Sequence, residues 1–269
     1  MSHELARDFA LPRADRPGAR LSGKIAGKAS RFLARHTRTK VLAMRGATPL
    51  VTFTFDDVPA SACSAGALML EQHDARGTFY VSGGGCGAAS PGGRLATTDQ
   101  LKALHAKGHE VGCHTYSHPP VSAIGHDELV ADLERNRRFL KGINGAIAAR
   151  NFAYPYGDLS FRTKRYLETR FDSCRSLLRG VNEGTTDLGA LKTCPLENAT
   201  IGHREILEFI ARAVRVNGWL IFSSHDVASS TRTPFKRNSN SSCTGNVPRR
   251  SGMATITRCT LCAAASSIR

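Results

Sequence analysis

The chain has no run of ~20 apolar residues, the length a helix needs to cross a bilayer. Its first 45 residues are rich in Arg and Lys, yet they lack the apolar core of ~7–15 residues that marks a secretory leader. The expectation is a protein that is cytoplasmic or peripheral to a membrane. Cysteine is equally uninformative about export. The eight cysteines are scattered through a chain too large to depend on disulfides, so most are expected to be small buried apolar residues. Cys259 and Cys262 have metal-like spacing, but no second pair or histidine accompanies them, and they are not read as a zinc site. Gly83, Gly84 and Gly85 lack the lysine and the strand-turn-helix setting of a phosphate loop, and are expected to form a flexible rim loop.

Acidic residues are missing from one region altogether. Residues 230–269 hold 7 Lys/Arg and 0 Asp/Glu, and residues 1–50 hold 11 against 3, whereas residues 51–229 hold 19 of each. The net charge of +15 therefore resides in the two ends. A nucleic-acid-binding protein would rest on those ends alone, and no specific nucleic-acid partner is expected. Leu21 to Arg45 reads as a basic amphipathic stretch. A solvated, poorly ordered extension is expected there, with weak contact to an anionic membrane surface as the alternative.

From residue 51 short β-like runs alternate with helical periods, the grammar of a parallel α/β sheet. Strands are predicted at 51–55, 77–81, 109–113, 151–154, 171–176, 191–195 and 219–224, and helices at 62–72, 98–107, 126–141 and 203–216. Seven strands suit an incomplete or distorted barrel better than an open sheet. After Phe235 the pattern collapses: residues 236–269 carry no sustained period, and they read as a different reading frame appended to an ordinary enzyme. Sequencing the DNA around codon 235 tests that reading. The expected organisation is a basic extension over 1–47, a main domain over 48–235 and an irregular basic tail over 236–269.

Four apolar runs end in chemistry: Val51-Thr-Phe-Thr-Phe-Asp-Asp57, Glu110-Val-Gly-Cys-His-Thr-Tyr-Ser-His118, Phe152-Ala-Tyr-Pro-Tyr-Gly157 and Trp219-Leu-Ile-Phe-Ser-Ser-His-Asp226. In a parallel α/β fold the C-terminal strand ends share one rim, so these distant residues converge. Asp56 and Asp57 place two carboxylates at a strand end, while His114 and His118, spaced i, i+4, share a face if that segment turns helical. Two imidazoles and one carboxylate leave open positions on a metal, as a catalytic site requires, and the other carboxylate is free to act as a base.

With these four motifs in order, residues 48–235 resemble the polysaccharide deacetylases, the NodB-homology or carbohydrate esterase family 4 group. The resemblance implies a distorted (β/α)7 barrel and a divalent metal, most simply Zn2+ with Co2+, Ni2+ or Fe2+ fitting the same donors, held by Asp57, His114 and His118. It further implies Asp56 as general base, His225 as general acid, and the Pro155-Tyr156 turn lining the substrate groove, with the Tyr156 N–H on the oxyanion. The implied reaction is removal of acetyl groups, N-linked or O-linked, from a polysaccharide or chitooligosaccharide.

Two departures stand out. Many family members carry an arginine where this chain has Ala153, and Arg175 is the candidate to supply that charge beside Asp56. Relatives also continue past the position of His225 into a further helix and strand, so the barrel as written is expected to lack its closing piece. A catalytically impaired, carbohydrate-binding relative is the rival reading. Asp226 is expected to cap the following turn, and His3, His36, His73, His105, His109, His126 and His203 are expected in surface or capping roles.

Overall fold

The structure is a computed structural model that describes residues 17–46, 48–90, 93–197 and 201–227. The tail from 236 to 269, with Cys243, Cys259 and Cys262, and His3 lie outside the described residues. In chain order the helices are α1 Pro17–His36, α2 Ala67–Glu71, α3 Thr98–Ala106, α4 His126–Ile143, α5 Phe161–Arg170 and α6 His203–Arg215. The main strands are β1 Leu50–Asp56, β2 Thr78–Val81, β3 Glu110–Cys113, β4 Asn151–Ala153, β5 Ser173–Arg179, β6 Leu191–Pro195 and β7 Trp219–Ser224.

These seven strands run parallel and close into a barrel in sequence order. Closure is made by β7 against β1, in register from Trp219 opposite Leu50 to Ser224 opposite Phe55. The expectation of a missing closing strand is therefore corrected: β7 itself seals the barrel, since an apolar run of this length pairs along the whole of β1. Among the described residues no helix follows β7.

Alternation along the strands separates two environments. Phe55 packs outward with Phe79, Leu101 and Leu104 under α2 and α3, and Phe53 stacks on Phe222 at 5.2 Å between ring centroids. The inward set is polar. At one level of the barrel Thr78 donates to Glu110 (2.7 Å), Asn151 donates to Glu110 (2.5 Å) and Ser173 donates to Asn151 (2.7 Å), linking β2 to β5 in a belt. Burial pushes the Glu110 carboxyl above its ordinary range, against the bonds from Thr78 and Asn151.

Helix α5 escapes prediction because its sequence is mostly polar. Its first turn is set by a capping box between Ser160 and Thr163, and its buried face is built from Leu167 and the full length of Lys164. The predicted helix over 62–72 instead begins with a π-helical turn, Ala62–Gly66, before α2.

The N-terminal segment is packed where the sequence suggested a solvated extension. α1 lies on α5, Ala34 is fully buried, and Val41–Ala43 pairs antiparallel with Thr185–Asp187. The anchor is Lys164, whose ammonium donates to the carbonyls of Ala34 (3.0 Å) and Thr37 (2.5 Å) and pairs with Asp187 at 2.5 Å. Asp187 also accepts from the N–H of Lys40 (3.1 Å) and of Gly189 (3.0 Å). None of these partners is adjacent in sequence, which is why composition alone read the segment as loose.

Candidate metal centre and catalytic rim

Asp57 follows the last residue of β1 in a left-handed conformation (φ 55°), so the two aspartates diverge: Asp56 turns into the barrel and Asp57 onto its rim. His114 follows β3 and is buried. His118 returns to it through a turn with Thr115 at φ 63° and His118 at φ 55°, not through a helix. The i, i+4 pairing thus holds for a different reason than helical phase. Of eight described non-glycine residues at positive φ, five (Asp57, Val58, Thr115, His118, Tyr156) belong to this rim, so backbone strain is concentrated where the side chains converge.

The three polar tips meet closely. His118 Nε2 lies 3.2 Å from His114 Nε2 and 3.3 Å from Asp57 Oδ1, with His114 Nε2 at 3.8 Å from the same oxygen. His114 Nδ1 sits 2.8 Å from the carbonyl oxygen of Ala153. A carbonyl can only accept, so Nδ1 carries the hydrogen and Nε2 presents its lone pair to the cluster. Burial pushes the His114 imidazole down to about 4, against the opposing pull of Asp56. A neutral imidazole, a second imidazole and a carboxylate converging on one point are donors of the kind that could hold a divalent metal.

The loop that carries the histidines is held from three sides. Asp132 on α4 accepts from the N–H groups of Tyr116 (2.6 Å) and Ser117 (3.1 Å), Ser82 donates to the carbonyl of His114 (2.7 Å), and the Gly84 N–H donates to that of Tyr116 (2.9 Å). This corrects the reading of Gly83–Gly85 as flexible. A Cβ on Gly83 would come within 2.5 Å of the Phe139 ring, and one on Gly84 within 2.8 Å of the Tyr116 carbonyl, so glycine is required there for close approach.

Asp56 is buried and meets the guanidinium of Arg175, which reaches it from β5 with one nitrogen on both carboxylate oxygens. Ala153 pairs in register with Arg175 and Gly112 leaves room for the Tyr80 ring, over which the guanidinium lies at 5.3 Å. Burial alone would raise the Asp56 carboxyl. The charge of Arg175, with smaller contributions from the neighbouring His114 and His225, outweighs it and holds the pKa below the usual aspartate value.

His225 stands at the end of β7 with its ring 46% exposed, and its Nδ1 is 2.7 Å from Glu197 Oε1, just past β6. Glu197 was not singled out from the sequence. A carboxylate beside an unassigned segment end is a weak signal, and only barrel closure brings it to His225. Between β7, β1 and α2 an apolar groove of about 1000 Å³, lined by Phe53, Phe55, Leu196 and Phe222, opens at this pair. Asp226 reaches across to accept from Ser61 on the β1–α2 loop. Pro155 is buried, and Tyr156 beside it is exposed with its ring 4.5 Å from that of His118. His109, expected in a surface or capping role, is buried: its Nδ1 accepts from the Gly77 N–H (3.0 Å) and its Nε2 faces Glu71 (3.1 Å).

The chain is thus a closed parallel (β/α)7 barrel with two histidines and an aspartate gathered at the C-terminal rim. Residues 44–170 match the family model described as polysaccharide deacetylase. Among curated proteins it is 27% identical over 132 residues to a chitin deacetylase of Colletotrichum lindemuthianum, covering 46% of this chain and 52% of that protein. It is 30% identical over 110 residues to a chitooligosaccharide deacetylase of Sinorhizobium fredii, covering 40% and 47% respectively. The matched stretch thus spans about half the length of these two relatives. The solved structure of IcaB from Ammonifex degensii is similar with a TM-score of 0.52 at 22% identity, covering 71% of this chain and 88% of that one, a likeness of fold.

Proposed function

We propose that this protein is a metal-dependent hydrolase that removes acetyl groups from N-acetylated sugars in a polysaccharide or chitooligosaccharide, with O-acetyl groups as a second substrate class. The observation that carries the reading is the approach of two imidazole nitrogens to 3.2 Å with an aspartate oxygen 3.3 Å from one of them, beside a separate, arginine-bound aspartate. Asp57, His114 and His118 would hold the ion. Zinc suits this donor set, which cobalt, nickel and iron also fit. When bound, the ion polarises the acetyl carbonyl and acidifies a water nucleophile.

The chain's own residues do the rest. Asp56, ionised and oriented by Arg175, takes the proton from the attacking water. His225, its Nδ1 turned to Glu197, is oriented to deliver a proton from the other ring nitrogen to the departing sugar amine. The Pro155-Tyr156 turn, with the Tyr156 ring 4.5 Å from that of His118, would line the substrate path beside the metal trio, and the Tyr156 N–H is the candidate oxyanion donor. Ala153 gave reason to consider an impaired, binding-only relative, and the contact of Arg175 with Asp56 from β5 supports the active reading instead.

The test is acetate release from N-acetylated chitooligosaccharides with added Zn2+, Co2+ or Ni2+, its loss with a chelator, and its recovery when metal is restored. Absence of release with every metal, on both N-acetyl and O-acetyl substrates, would overturn the proposal.

A further inference from the structure

We propose that the outer face of α1 is a docking surface for an anionic lipid bilayer. The inner face of this helix is made of small residues: Gly27 and Ser30 are half-buried and Ala34 is fully buried, with Ser30 Oγ accepting the N–H of Phe161 at 3.1 Å. At 100° per residue the opposite side is centred on Phe32, with Lys28 and Arg35 to one side of it and Leu33 to the other. All four are exposed, Phe32 by 62% and Leu33 by 47%. Phe32 also stacks on the exposed His36, with ring centroids 4.1 Å apart.

Two observations commit this face to lipid. Exposed aromatic and aliphatic side chains set among bases suit the boundary between acyl chains and anionic headgroups, where each class of side chain finds its solvent. A nucleic acid would leave Phe32 and Leu33 without a partner. The charge is also local: residues 1–50 hold 11 Lys/Arg against 3 Asp/Glu, while the balance over residues 51–229 is zero.

Ser30 meets the first residue of α5, and Arg31 lies 3.9 Å from Asp158, directly after the Pro155–Gly157 turn. α1 therefore runs alongside α5 with its N-terminal part at the end of the barrel that carries the metal trio.

The full chain is sedimented with vesicles of phosphatidylcholine alone and of phosphatidylcholine mixed with phosphatidylglycerol. Binding is expected only to the mixed vesicles. Each base near the surface is worth a factor of about five, so Lys28→Glu combined with Arg35→Glu should weaken binding at least ~25-fold. Phe32→Ser combined with Leu33→Ser should weaken it as well, with the thermal melt and the hydrolysis of a soluble substrate unchanged in both variants. Wild-type failure to bind, or binding that survives both double variants, overturns the proposal. So does binding that responds to Lys28 and Arg35 but not to Phe32 and Leu33 and that duplex DNA competes away.

Discussion

Replacing Lys164 by Met tests whether residues 34–40 are part of the folded domain. The Lys164 ammonium is fully buried, and its donors are taken by the carbonyls of Ala34 and Thr37 and by Asp187 Oδ2. Methionine fills a similar volume but leaves a buried carboxylate oxygen and two carbonyls unanswered. Removing one partner of a buried ion pair costs about 3–5 kcal/mol, because the remaining charge stays desolvated. For a unit of this size each kcal/mol shifts Tm by about 2–4 °C, so a fall of roughly 6–20 °C is expected. Urea denaturation followed by tryptophan fluorescence reads the change directly, since the single Trp219 is buried and bonded to Thr52. A chain lacking residues 1–40 should lose at least as much stability. Adding Lys164→Met to that truncation should cost less than the two separate effects combined, because both remove the same contacts. A Lys164→Met protein within about 1 kcal/mol of wild type, against that expected 3–5, would refute the reasoning.

Three further outcomes are expected. Arg175→Ala leaves Asp56 buried without its guanidinium and free to rotate, and kcat for acetate release should fall by ~10²-fold or more, since a small misplacement of a reacting group has that effect; unchanged turnover would remove Arg175 from the site. Glu197→Gln should lower kcat up to ~10²-fold with little change in KM, because it disturbs the orientation of a proton donor and not substrate contact. The pH dependence of stability should carry a term from His109. Burial depresses its pKa despite the bond to Glu71, with Arg76 and Lys107 also facing it, so the unfolded chain binds the proton first as pH falls. That contribution is complete above about pH 6.5 and is lost as pH drops below it. Urea midpoints at neutral and acidic pH should therefore differ more in wild type than in His109→Gln, and equal differences would exclude the effect.

What the sequence determined by itself was local. Each barrel strand is an apolar run flanked by turn residues, and each chemical group sits within a few positions of a strand end, so strand identity and the Asp56, Asp57, His114, His118 and His225 cluster were legible from spacing. The signal failed where burial depends on partners far along the chain. α5 was hidden because the polar Lys164 supplies its buried face, and Glu197 was hidden because nothing near it in sequence announces His225. Only the tertiary structure decided that β7 closes on β1, that Thr115 and His118 adopt left-handed backbone to bring two imidazoles together, and that Arg175 crosses the barrel to Asp56 over Ala153 and Gly112. The physical reason is common to all three: the favourable term is electrostatic or packing energy between residues tens to more than a hundred positions apart, and no local periodicity encodes it.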